Sequence, residues 1–404
     1  MKVKGFLKDV GGASRVTNMR REMIARASSK PDPHDPIRAL ADALHPGKQV
    51  FTVTEVREAS PTSRTFRFEP ENGHVPVFQA GQYVNFYLQI GESVLTRPYS
   101  ISSAPSSARG EKPFFEVTIR RNVPYFVPDY FFDHVGVGTK MTAALPFGSF
   151  YYEPLRDAPS VVALAGGSGI TPFVSMAKEI AAGRLPVHLT ILYGSVSHTD
   201  IVCGAELETA EVQAEAYGAV HSDYQGSVRV VHVMSGDDEW QGEKGFVTKE
   251  LIQKYSEGDT TYMFCGPGAM YKVICAAMQE MGVTERRFRH DVMAQPANVK
   301  QIPGFPEEQI GKTHKITVVR GIQEDVIDAR ADEPVAVALE RAAIPVDTHC
   351  RGGECGFCRS QLLSGDIFIS PLNDGRRRED KEMGWFHACS AYPVSNIRIK
   401  IPIL

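Results

Sequence analysis

From Val50 onward, apolar and polar positions alternate with a period of two. The runs FTVTEVREAS, SRTFRFEP, QYVNFYLQI, YSISS and FFEVTIRRN are rich in Val, Thr, Tyr and Phe and are separated by Gly, Pro and Ser turns. Many short strands at close spacing predict a small antiparallel β-barrel that ends near Tyr152. From Ser160 the pattern changes. VVALA precedes a helical stretch from about Pro172 to Ala182, and VHLTILYG precedes a second stretch rich in Ala and Glu. SVRVVHVM follows, and TYMF then precedes a helix ending near Gly282. Apolar strands alternating with helices predict a parallel sheet covered on both faces. The stretch at 296–312 carries Pro303, Gly304 and Pro306 and reads as a linker. The last stretch opens on the strand pattern HKITVVRG, passes through the helical EPVAVALERAAI and closes on NIRIKIPI.

Ahead of the barrel, SSKPDPHDP (28–36) separates two segments. Asp35 reads as an N-cap with Pro36 at the first helical position. Ile37, Leu40, Ala41 and Leu44 follow at helical spacing until Pro46-Gly47 stops the run. The chain is therefore multidomain: an N-terminal extension at 1–47, a barrel at 48–155, an α/β parallel-sheet domain at 156–295, the linker, and a C-terminal domain at 313–404.

The 404 residues include 43% hydrophobic and 23% charged side chains, ordinary values for a chain able to bury full cores. A formal net charge of −4 excludes a generally basic nucleic-acid binder. The charge-free window from Ala158 to Ala177 has bilayer length, but Gly166, Gly167, Gly169 and Pro172 interrupt it, so no membrane span is expected. The first 30 residues carry Lys2, Lys4, Lys8, Arg15, Arg20, Arg21, Arg26 and Lys30 against Asp9 and Glu22. They lack the apolar core of an export signal, which points to the cytoplasm; an organelle transit peptide shares the pattern and is the alternative.

Seven cysteines in so long a chain do not make a disulfide scaffold. Four of them, Cys350, Cys355, Cys358 and Cys389, carry the chemistry. The first three have the spacing C-x4-C-x2-C, the plant-type arrangement for a [2Fe–2S] cluster. Three thiolates on the loop HCRGGECGFC can wrap two irons only if the backbone folds closely on itself, which Gly352, Gly353 and Gly356 permit. Their amides can also face the cluster sulfurs. Zinc is the rival metal, although zinc ribbons generally use two close pairs. Four unrelated buried thiols are the bland alternative.

Other motifs suit a flavin and a nucleotide. In Arg97-Pro98-Tyr99-Ser100, after a barrel strand, the arginine can pair with a phosphate, the tyrosine can stack on a planar ring and the serine can bond a ring nitrogen. Gly148 and Ser149, in the loop PFGSF, give backbone access to a phosphate or ring, or form a simple turn. Gly166, Gly167, Gly169 and Thr171 lie in GGSGITP between a strand and a helix, where Thr171 can cap the helix and free amides can face a pyrophosphate. Cys265-Gly266-Pro267-Gly268 repeats the design after TYMF, with the thiol facing the same crevice or simply buried. Cys203 and Cys275 read as small buried hydrophobes.

In this order, RPYS, GGSGITP, CGPGAM and the cysteine set resemble the ferredoxin–NADP⁺ reductase superfamily, and within it the three-module flavin/NAD(P)/plant-type-ferredoxin reductases, over about residues 48–404. The resemblance implies a β-grasp [2Fe–2S] domain at the C-terminus. It implies that Arg97 meets the flavin phosphate, Tyr99 the isoalloxazine and Ser100 its N5. It places Gly166, Gly167, Gly169 and Thr171 at the pyrophosphate of the pyridine nucleotide. Cys265 and Gly266 fall beside the nicotinamide, where the thiol orients hydride transfer. Two elements depart from the family's pattern: His290-Asp291-Val292-Met293 replaces an acidic-x-aromatic ending, and VPYFVPDYFF (123–132) replaces Gly-Gly-x-x-Ser. The second departure leaves FMN open beside FAD. Gly194-Ser195-Val196-Ser197-His198 lacks the arginine that NADP-specific relatives place there, which favours NADH over NADPH.

Nicotinamide delivers two electrons as hydride and a [2Fe–2S] cluster accepts one at a time, so a flavin must stand between them. The implied activity is electron transfer from NAD(P)H through flavin and cluster to a redox partner protein such as an oxygenase or demethylase. The reverse flow toward NAD⁺ and a redox-responsive regulatory subunit are the alternatives. The mixed run Arg376 to Glu382 reads as a solvated face.

Overall fold

The structure, a computed structural model, describes residues 6–27, 35–44, 46–121, 126–291, 298–371 and 374–402. Lys2, Lys4, Lys30 and the rest of the proline-rich break at 28–34, residues 123–125 of the substituted flavin element, and residues 292–293 lie outside them.

The basic N-terminal segment forms a helix, Phe6–Arg26 (α1), followed by Pro36–Leu44 (α2). Asp35 caps α2 as its position predicts: its Oδ1 accepts from the amides of Ile37 at 3.0 Å and Arg38 at 3.1 Å. Residues 1–45 form a unit of their own, in which Met19, Met23, Ile37 and Leu40 are exposed.

The second unit, 46–404, begins with six antiparallel strands: β1 (Gln49–Ser60), β2 (Ser63–Pro70), β3 (Tyr83–Ile90), β4 (Ser93–Ser100), β5 (Phe115–Arg120) and β6 (Lys140–Phe147). Their order is β4-β3-β6-β1-β2-β5, and a bridge between Ile101 and Val117 joins the two ends into a barrel. Phe51, Phe66, Phe68, Phe86, Phe115 and Phe131 fill the interior at 0% exposure. Each such ring contributes roughly 1.5–3 kcal/mol relative to remaining in water. The structure differs from the pattern in three places. RPYS forms the end of β4 rather than following a strand; β4 ends the sheet, where Pro98 is tolerated. KMTAALPF forms β6 without alternating: Ala143, Ala144 and Leu145 are buried in succession. The substituted segment forms a helix, Phe126–His134 (α3), whose Phe131 packs against Phe66, Phe86 and Tyr99.

The α/β part has strands β7 (Ser160–Gly166), β8 (His188–Ser195), β9 (Ser227–Met234), β10 (Glu243–Lys244), β11 (Thr260–Cys265) and β12 (Phe288–Asp291), all paired in parallel in the order β10-β9-β8-β7-β11-β12. Helices α4 (Thr171–Ala181) and α5 (Gly204–Val220) help bury one face; α6 (Lys249–Lys254) and α7 (Gly268–Glu280) help bury the other.

In the C-terminal part, β13 (Thr313–Arg320) and β14 (Gln323–Arg330) precede α8 (Val335–Arg341). After the cysteine loop come β15 (Arg359–Ser364), β16 (Ile367–Ile369), α9 (Arg378–Glu382), β17 (Trp385–His387), β18 (Ala391–Pro393) and β19 (Ile397–Lys400). The main sheet runs β14-β13-β19-β15-β17 with a parallel β13–β19 pair at its centre, and it grasps α8 through Ile316, Val318, Leu339 and Ile399. The helix is shorter than its apolar pattern: Ala343 turns to φ +54° and ends it. Val299, Ile302 and Phe305 of the expected linker are buried with Tyr392, so this stretch packs on the C-terminal part. Among the described residues, no helix is long and apolar enough to cross a membrane.

Candidate functional site

The chain leaves β7 toward β8 on one side, while β11 lies on the other. Connections diverging in this way open a crevice at the carboxyl ends of the strands, where doubly wound sheets take nucleotides. Both glycine loops stand there. Cys265 is in register with Ala165, so Gly166 and Gly266 follow side by side. A Cβ on Gly169 would lie 2.2 Å from the Cys265 carbonyl oxygen, a space that only glycine can occupy. Thr171 does not cap. A 3₁₀ turn over Gly167–Ile170 runs straight into α4, making Thr171 its first residue, and the hydroxyl donates back to the Ser168 carbonyl at 3.1 Å. Cys265 is fully buried and burial holds its thiol well above the ordinary range, so it is neutral and packs rather than attacks.

At the barrel's end, Ser100 is buried opposite Tyr83, and Tyr83 is paired with Phe147 just before Gly148. Gly148 takes φ +92° and a Cβ there would meet the Tyr83 ring at 2.8 Å; Gly148 and Ser149 are exposed. Tyr99 is half-buried and packs its ring against Phe131 at 5.4 Å. Pro98 lies opposite Asn85. The Arg97 Nη1, expected at a phosphate, donates to Glu340 of α8 at 3.0 Å and to the Thr96 carbonyl at 2.9 Å.

The cysteine loop has the close backbone its glycines predict: Gly353 and Gly356 take φ +95° and +77°. The Cys355 amide donates to Cys350 Sγ at 3.4 Å, an amide aimed at a ligand sulfur. Cys350 touches Cys355 and Cys389, and Cys358 touches Cys389. These contacts hold the Cys350 and Cys358 thiols down toward thiolate while Cys355 and Cys389 are held up, as expected when four sulfurs share protons that a metal would displace. Among the described residues, no three His, Cys, Asp or Glu side chains surround a point as ligands of one ion would. The four thiols form one linked cluster, and their C-x4-C-x2-C spacing with a distant fourth cysteine is the plant-type arrangement for two irons.

The three parts converge. Asp291 is in register with Cys265, and its carboxyl is pushed up to about 7 by burial, then by Glu354 and Cys350 of the cysteine loop. The Tyr83 hydroxyl is pushed up by burial and then by Cys355 and Cys350. His290 lies 3.4 Å from Glu354, and Phe147 meets His349 edge-on at 4.6 Å. The barrel's Ser100–Tyr83 end, the Cys265 strand end and the cysteine loop therefore border one region.

Sequence reasoning missed Glu340, Arg351, Tyr83 and Arg120. Arg120 Nη1 lies 2.9 Å from where a Gly167 Cβ would stand, and its guanidinium is bound to Asp200 and Thr62. Arg351 adjoins Cys350 and could have been suspected; Glu340 has no signal beyond a charge on the buried side of a helix.

Residues 50–152 match the family described as oxidoreductase FAD-binding domain, 163–276 the oxidoreductase NAD-binding domain and 321–394 the 2Fe-2S iron-sulfur cluster binding domain. The chain is 23% identical over 349 residues to the glycine betaine monooxygenase reductase subunit of Chromohalobacter salexigens, covering 83% of this chain and 91% of that one. It is 30% identical over 239 residues to ferredoxin–NADP reductase B of Sorangium cellulosum, covering 57% of this chain and 91% of that one. The solved structure of phthalate dioxygenase reductase superposes with a TM-score of 0.64 at 18% identity, over 88% of this chain and 98% of that one.

Proposed function

Because the chain belongs to the ferredoxin–NADP⁺ reductase superfamily, as a three-module flavin, nicotinamide and [2Fe–2S] reductase, we propose that it takes electrons from NADH and passes them through FAD and the cluster to a partner oxygenase or demethylase in the cytoplasm. The convergence of the Ser100–Tyr83 end, Cys265 and the Cys350–Cys358 loop carries this reading. Bound FAD supplies the exchange between a two-electron hydride and single electrons.

The residues divide the work. The amides of Gly166, Gly167 and Gly169, beside the first turn of α4, receive the nucleotide pyrophosphate. Neutral Cys265 and Gly266 fix the plane of the nicotinamide without competing as nucleophiles. Ser100, Tyr99 and Pro98 would hold the flavin, with backbone access at Gly148 and Ser149, and Arg97, whose Nη1 is bound to Glu340, would meet a phosphate through its other N–H groups. Cys350, Cys355, Cys358 and Cys389 hold the irons, with the Cys355 amide directed at a sulfur. Asp237 accepts from the His198 amide at 2.7 Å and is held down to about 2, which keeps a carboxylate beside the Ser197-His198 loop; this suits a ribose hydroxyl and opposes a 2′-phosphate.

Anaerobic titration of the purified holoprotein with NADH tests the relay. The expected outcome is that flavin and cluster absorption bleach together and that NADPH does so less effectively. A protein that binds FAD and iron yet leaves the cluster oxidised under excess NADH would refute it.

A further inference from the structure

The flavin motif and the cluster loop share one buried carboxylate. Glu340, in the last turn of α8, is 2% exposed and accepts from arginines of two different modules. Arg97 Nη1 lies 3.0 and 3.1 Å from its two oxygens. Arg351, next to Cys350, reaches the same oxygens through Nη1 at 2.5 Å and Nη2 at 3.2 Å. Both arginines also donate to the Thr96 carbonyl, at 2.9 and 3.3 Å. Arg351 holds this grip from a left-handed backbone, φ +54°, which a non-glycine residue keeps only where its surroundings enforce it. A carboxylate withdrawn this far from water is strongly destabilising if one of its partners is lost. The ion cluster joins the RPYS strand to the cysteine loop, and the charges of Arg97 and Arg351 both act on Tyr99 while that of Arg351 also acts on Cys358.

We propose that Glu340 is a positioning residue that seats the cluster loop on the flavin barrel, its carboxylate tying Arg351 of the loop to Arg97 of β4. The proposal rests on the relay reading above. Electron passage from flavin to cluster depends on how closely and rigidly the two sites are held, whereas hydride delivery depends on the sheet crevice, whose residues Glu340 does not bond. The carboxylate therefore governs the second step and not the first.

Parent holoprotein and its Glu340→Gln variant are compared by anaerobic stopped flow with NADH, following flavin and cluster absorption separately, and by small-angle X-ray scattering. In the variant, flavin bleaching is expected to stay within about twofold of the parent. Cluster reduction is expected to slow by about tenfold or more. Iron content stays equal, the radius of gyration grows, and Glu340→Asp recovers part of the cluster rate. Cluster reduction as fast as the parent's, or a slowing matched by flavin bleaching, overturns the proposal. Should Glu340→Gln fail to load iron, Arg351→Met severs the same tie from the loop side and is judged by the same two rates. A parent in which NADH reduces neither centre refutes the relay instead, and the scattering comparison then decides the role of Glu340.

Discussion

In water the Asp291 carboxyl would ionise near pH 4. In the fold, burial and then Glu354 and Cys350 push it up to about 7. Between those values the unfolded chain has released its proton while the native protein still holds it, so stability falls as pH rises through the window. The slope approaches about 1.4 kcal/mol per pH unit for one proton. Asp291→Asn carries no such cost. Urea unfolding of parent and variant at several pH values should show the variant gaining on the parent from about pH 4 to 7 and holding a constant lead above it. A lead that shrank with rising pH would mean that the carboxylate is stabilised rather than strained there. Asp291 was visible in the sequence as a departure from the family's ending, but its environment was not: the groups that shift it lie about 60 residues away in another module.

Among the elements, the loops that end β7 and β11 show why short motifs need glycine. Gly169→Ala would place a methyl 2.2 Å from a backbone oxygen and 2.8 Å from the Gly266 Cα, so the loops must part. Overpacking of this kind costs roughly 1–3 kcal/mol. We expect a lower melting temperature and a weaker grip on ADP-ribose, measured by calorimetry, with the flavin still bound; unchanged affinity would show that the loops do not form the pyrophosphate site. These loops were legible because the chemistry requires a local pattern: a strand, a glycine turn and a helix start. β6 and α3 were not, because β6 does not alternate and α3 earns its helix by placing Phe131 in the barrel, a contact with residues distant in sequence. The Thr171 cap failed for a similar reason: the 3₁₀ turn before α4 moved the boundary by one residue.

At the scale of the whole molecule, residues 1–45 form one unit and 46–404 the other. Deleting 1–45 should leave cofactor content, melting temperature and NADH-driven cluster reduction unchanged; a fall in melting temperature would show that the extension supports the core. The module order, the alternating strands, the spacing of the four clustered cysteines and the glycine loops were legible in the sequence alone, because periodicity and spacing are properties of neighbouring residues. The tertiary structure alone decided that Arg97 is tied to Glu340, that Arg351 joins it from the cluster loop, and that Tyr83, Asp291 and Cys350 border one region. Arg97 and Glu340 stand 243 positions apart in the chain, and a buried charge chooses its partner only once packing has excluded water from both.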